Sequence, residues 1–188
     1  IILYTTSYDN KGKHTMQIEL KNFRHAEFAS DETHCYEATI WIDGKRSFLA
    51  QNDGQGGSDH YYPLINSTAA CTEFNAVMAR IEAHCNSLPK YGSEFGGEDD
   101  MPMNLEILIG NLINRTLSRK KLKRVLKNKI VTLERDEVWE YGYSRSALHW
   151  SDAMQKTIVI DEIKKKNPNV TILNDLPFDD ALEIFSNR

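Results

Sequence analysis

The dipeptide Asp43-Gly44 constrains this 188-residue chain more than any other feature. It lies between two runs of strand-forming residues, Tyr36 to Ile42 and Lys45 to Gln51, and Asp-Gly in that setting is the strongest short-range signal for a two-residue type I′ turn. Antiparallel pairing follows. The predicted partners are Ile42 with Lys45, Trp41 with Arg46, Ile40 with Ser47, Ala38 with Leu49, Cys35 with Asn52 and His34 with Asp53. Opposed residues share a face, with Cβ atoms about 4.5 to 5.5 Å apart. This register sets His34 against Asp53 where the second strand gives way to a loop containing Gly54, Gly56, Gly57, Asp59 and His60.

That polar cluster is the first candidate site. Imidazoles and carboxylates are ligands for a divalent metal, and His34, Asp53, Asp59 and His60 could hold one with a position left for water, His25 adding a third nitrogen. Such a centre would make the chain a metal-dependent hydrolase or nuclease, although no HExxH or paired-Cys motif accompanies it. The same residues also fit a structural role, closing the hairpin while the glycines serve its turn. A nest of N–H groups at Gly54, Gly56 and Gly57, with Tyr61 and Tyr62 stacking on a base, would instead bind an anion or nucleotide. Against it, the loop lacks a GK[ST] ending, and Asp53 and Asp59 repel phosphate. Cys35 beside His34 or His60 could form a nucleophile and base, but nearby acids raise a thiol's pKa and favour a structural cysteine.

The second candidate is a charge run. Arg115, Arg119, Lys120, Lys121, Lys123, Arg124, Lys127 and Lys129 occur within fifteen residues without an acid, so the rest of the chain carries −12 against a total of −4. Such a run could track a phosphate backbone or dock on an acidic protein, and it also fits a solvated helix face balanced by an acidic body. Cation–π contact between Trp41 and Arg46 is a further expectation.

The remaining pattern reads as one α+β domain over 1–188, a largely antiparallel sheet built from hairpins and packed by three to four helices. Strands are expected at Ile1 to Thr6 and Met16 to Leu20 around a turn at Asp9 to Gly12, with a short one around His25 to Phe28. After Pro63, Ala70, Phe74, Val77, Met78, Ile81, Cys85 and Leu88 recur at helical spacing, capped by Asn66 or Ser67 and ended by Pro89. The acidic stretch 90–100 reads as a mobile loop whose Asp99 and Asp100 cap a second helix from about Met103. That helix would bury Leu105, Leu108, Ile109 and Leu112, and break near Gly110 or Asn114 to Ser118 before the basic run. A hairpin turning at Arg135-Asp136-Glu137 follows, then a helix from Ala153 to Lys166, a strand from Val170 to Leu173 and a last helix from Pro177 with Phe178, Leu182 and Phe185 on one face.

No apolar run is long enough to cross a membrane, and IILYTTSYDNKGK shows neither a basic leader nor a small-residue cleavage site. Three cysteines without paired spacing point to a reducing compartment, so the expected location is the cytoplasm. The segments KNFRHAEFASDETHCYEATIWIDGK, NDGQGGSDHYYP and NPNVTILNDLPFDDALEIF resemble a family of small bacterial proteins without assigned activity, carried by phages and plasmids. The resemblance implies an accessory protein that binds a host protein or nucleic acid, inhibitors of host defence among them, and leans away from catalysis. The surfaces expected to carry binding are the basic helix and the glycine-rich loop.

Overall fold

The computed structural model describes residues 16–91, 101–142 and 153–186. These form four α-helices and two antiparallel sheets, the α+β architecture that the hairpin pattern predicts. Composition reads as one domain; in the structure the chain clusters into two compact units, Ile1–Ile113 and Asn114–Arg188.

The first unit holds a sheet of order β1-β2-β3-β4, from Ile18–His25, Tyr36–Ile42, Lys45–Asn52 and His60–Pro63. Asp43 and Gly44 both adopt positive φ, 50° and 77°, as a type I′ turn requires. Pairing starts as predicted at Ile42–Lys45 and Trp41–Arg46, and then a bulge at Ser47 shifts it by one residue. The pairs become Ile40–Phe48, Ala38–Ala50 and Tyr36–Asn52, which corrects the expected Ile40–Ser47, Ala38–Leu49, Cys35–Asn52 and His34–Asp53.

Burial explains the shift. A straight ladder would set Ser47, Leu49 and Gln51 on the face of the buried Ile40, Ala38 and Tyr36, leaving Phe48 and Ala50 on the other side. With the bulge, Phe48 and Ala50 join that face and are fully buried. β1 is longer than the Met16 to Leu20 strand expected, and it ends at His25 in a 3-10 turn, Glu27–Ala29, where a short strand was predicted.

Helix α1, Thr68–Ser87, packs on β3 and β4 through Phe74, whose ring meets Phe48 edge-on at 6.0 Å, and buries Ile81 and Cys85. Ser67 caps it by accepting the Ala70 N–H, and Pro89 follows its end, both as predicted. Helix α2, Leu105–Asn128, is capped by Asn104, whose Oδ1 accepts the Ile107 N–H at 2.9 Å; Asp99 and Asp100 lie outside the described residues. It runs unbroken through Gly110 and the Asn114 to Ser118 region. One helical glycine costs about 1 kcal/mol, less than burying Leu105, Leu108, Ile109, Leu112 and Ile113 contributes.

The second unit holds a sheet of order β6-β5-β7, from Glu137–Tyr141, Ile130–Glu134 and Thr171–Ile172. Its hairpin turns on Arg135-Asp136, with φ 51° and 67°, so Glu137 belongs to the strand and not to the turn. Helices α3, Ala153–Lys166, and α4, Phe178–Ser186, fall where the spacing predicts. Leu122, Val125, Val131, Leu173, Ala181, Leu182 and Phe185 make one core cluster, and Ile130, Ile163 and Ile172 another. Asn174 ties the edge of β5, accepting the Val131 N–H at 2.8 Å and donating to the Lys129 carbonyl at 3.0 Å.

The expected strand Ile1 to Thr6, the turn Asp9 to Gly12 and residues 92–100 of the acidic loop lie outside the described residues. No helix among the described residues is long and apolar enough to cross a membrane.

Candidate functional site

Asn52, at the end of β3 and 5% exposed, organises the glycine-rich loop. Its Oδ1 accepts the Thr33 hydroxyl and the Gly54 N–H, each at 2.8 Å, and its amide donates to the Gly57 carbonyl at 2.8 Å and to Asp59 Oδ1 at 3.1 Å. All four hydrogen-bonding capacities of the side chain are used. Asp59 Oδ2 accepts the Tyr36 hydroxyl at 2.6 Å and the Tyr61 hydroxyl at 3.1 Å. Burial first, and then the bond to Asp59, pushes the Tyr36 phenol far above its ordinary value; the same burial and the Asp59 charge do so for Tyr61. Both phenols therefore donate to Asp59 at neutral pH.

This network separates the predicted metal ligands. Asp59 is committed to three donors, and Asp53 Oδ1 accepts the Gln55 N–H. His60 opens β4 opposite Gln51, its ring 6.4 Å from that of Tyr62. His34 lies edge-on to His25, with ring centroids 5.3 Å apart. Because the bulge moved the ladder, His34 no longer faces Asp53. Among the described residues no three His, Cys, Asp or Glu side chains gather as a metal would need. The divalent-metal hydrolase reading has no such geometry under it.

The anion cradle fares the same way. Gly54 N–H is donated to Asn52, Gln55 N–H to Asp53 and Gly56 N–H to Thr33 Oγ1, so the nest is turned onto the protein. Gly54 and Gly56 have a different task. At Gly54, φ 88°, a Cβ would stand 2.1 Å from the Ala29 carbonyl oxygen, and at Gly56, φ 83°, 2.1 Å from Glu32 Oε2. The Gly54 carbonyl accepts N–H groups from Asp31 and Glu32 at 3.0 and 3.1 Å. The glycine-rich loop is therefore a clamp on the segment between β1 and β2. Gly57 supplies a carbonyl to Asn52, Tyr61 is half-buried against Phe48, and Tyr62 is exposed on β4.

Arg24, His25, Ala26, Cys35, Tyr36, Glu37, Gln51, Asn52 and Asp53 line an open recess of about 390 Å³ beside this clamp. Ser30 links two of its lining residues, donating its hydroxyl to the Ala26 carbonyl at 2.9 Å and accepting the Cys35 N–H at 2.9 Å. His25 Nε2, 3.2 Å from the same oxygen, is accordingly the donor to it. Lys21, and not Arg46, lies over the Trp41 ring, 3.7 Å from its centroid.

The basic run divides by helix geometry. Lys120, Lys123, Arg124 and Lys127 recur at i, i+3, i+4 and i+7 on α2, which puts them on one face, and all four are exposed. Leu122 and Val125 on the opposite side enter the core. The other cations serve the fold. Arg119 pairs with Asp179 at 3.0 Å and lies over Phe178, Lys121 sits 5.8 Å from the Phe185 ring, and Lys129 donates to Glu140 at 2.8 Å. Arg115 is exposed off the stripe. Lys123, Arg124 and Lys127 make no ion pair with a described residue. The second unit holds 15 lysines and arginines against 11 acids, a formal +4, and the first holds 8 against 16, a formal −8.

Sequence reasoning missed Asn52, Tyr36 and Thr33. The signal that could have found them is the demand that a buried loop satisfy its backbone N–H groups with nearby side chains. Comparison with protein-family models, with curated proteins and with solved structures finds no match, so every role assigned to these residues rests on their geometry alone.

Proposed function

We propose that this protein acts by binding: an accessory protein of the phage or mobile-element type that engages a polyanionic host macromolecule through α2. The observation that carries the reading is the exposed stripe Lys120, Lys123, Arg124 and Lys127, set opposite the buried Leu122 and Val125. Holding four cations on one rigid face keeps their charges additive, and each phosphate they neutralise releases counterions. The mobile-element setting, with host-defence inhibition as one form of it, rests on the sequence resemblance. In this reading the glycine-rich loop supports a neighbouring surface and does not itself cradle the partner.

Fluorescence anisotropy with a short labelled DNA duplex tests it. Affinity should fall with salt at a log–log slope of about −3 to −4 for three to four phosphate contacts. The pair Lys123→Glu and Arg124→Glu should weaken binding and flatten that slope by about 2. Absence of binding at low salt would remove nucleic acid as the partner and leave an acidic host protein, to be sought by capture from nuclease-treated lysate.

A further inference from the structure

Phe28 is 95% exposed, in a chain whose other phenylalanines among the described residues are at least half-buried. It projects from the 3-10 turn Glu27–Ala29, and that turn is not a loose loop. Ala26 N–H is donated to the Cys35 carbonyl at 3.0 Å and Ala29 N–H to the Ala26 carbonyl at 3.0 Å, while Ser30 fastens Ala26 to Cys35 through its hydroxyl. The Gly54 carbonyl then holds Asp31 and Glu32, and Gly56 leaves room for the Glu32 carboxylate against the backbone. Both glycines adopt positive φ to do this. The turn that carries Phe28 is thus fastened on both sides, to Cys35 through Ala26 and Ser30 and to the Gly54 carbonyl through Asp31 and Glu32.

A rigid aromatic side chain loses little entropy on binding, which makes it an effective anchor. Its surroundings select the partner. Glu27, Asp31, Glu32 and Asp53 are all exposed on the same clamped assembly, and the unit that bears them has a formal −8. Like charge disfavours nucleic acid and anionic membrane; opposite charge favours a cationic polypeptide. We propose that Phe28 anchors a docking surface for a cationic protein segment, its ring entering an apolar recess bordered by lysine or arginine. Its residues belong to the first unit and those of the basic stripe to the second, and the two are opposite in charge.

A selection from a random dodecapeptide library displayed on phage tests this with the full chain. Peptides are enriched on the wild type and scored against Phe28→Ala and against the pair Glu27→Lys and Asp31→Lys. The proposal expects enriched peptides that combine apolar residues with lysine or arginine, and binding weakened about tenfold or more by Phe28→Ala. Because the ring is solvent-exposed, Phe28→Ala should leave the melting temperature unchanged, which separates lost docking from lost folding. Charge reversal should also lower affinity, and raising salt should mimic it. Enriched peptides without basic residues, or peptides that bind Phe28→Ala as well as the wild type, would overturn the proposal. Neither outcome bears on DNA binding by α2.

Discussion

At the scale of single residues, Asn52 decides whether the glycine-rich loop has one conformation. Asn52→Ala removes the acceptor for the buried Gly54 N–H and the donor to the part-buried Gly57 carbonyl and Asp59 carboxylate, which water can partly replace. Leaving such groups unsatisfied costs about 1 to 3 kcal/mol each, so we expect a loss of about 2 to 4 kcal/mol in urea unfolding. A loss within error would mean that the network is not cooperative. His84 on α1 makes a second, pH-dependent prediction. Burial holds its imidazole below the usual value of 6.5, against the opposite pull of Asp43. The folded chain then keeps His84 neutral where the unfolded chain takes up a proton, so stability falls as pH drops through about 6.5. His84→Gln should flatten the urea midpoint between about pH 7.5 and 5.5 relative to the wild type.

At the scale of elements, α2 crosses from one compact unit into the other as one helix, although Gly110 sits within it. A Cβ at Gly110 meets nothing within 4 Å, and its φ is not in the left-handed region. Gly110→Ala should therefore stabilise the protein by about 0.5 to 1 kcal/mol, mainly by restricting the unfolded chain. A decrease in melting temperature would show that the helix uses a deformation there. The Ser47 bulge is the other decision taken at this scale. It trades one ladder position for burial of Phe48 and Ala50 against Ile40 and Ala38, an exchange that the hydrophobic term favours.

At the scale of the whole molecule, charge is divided between the units, −8 on one and +4 on the other, and the two surfaces proposed here carry those signs. Lys123→Glu with Arg124→Glu alters only exposed side chains opposite the core, so it should change DNA affinity and its salt slope while leaving the unfolding midpoint within about 0.5 kcal/mol of wild type. A large loss of stability would instead give those cations a structural role.

Local sequence sufficed for the type I′ turn, the helical faces of α1 and α4, a cap at Asn66 or Ser67, of which the structure uses Ser67, and the clustering of cations on α2. Each of these follows from local spacing or from the conformational preference of one or two residues. Packing between elements set the register beyond Trp41, and with it the fate of the candidate site. A strand's side chains alternate with period two, so one bulged residue reassigns every partner that follows it. His34 lost Asp53 in that shift, and Asn52, which reads in sequence as an ordinary strand end, became the hub of the loop. The same limit applies to the glycines. In sequence they suggest a cradle for a ligand, whereas the backbone of Ala29, Asp31 and Glu32, distant in the chain, closes on Gly54 and makes the loop a clamp on that segment.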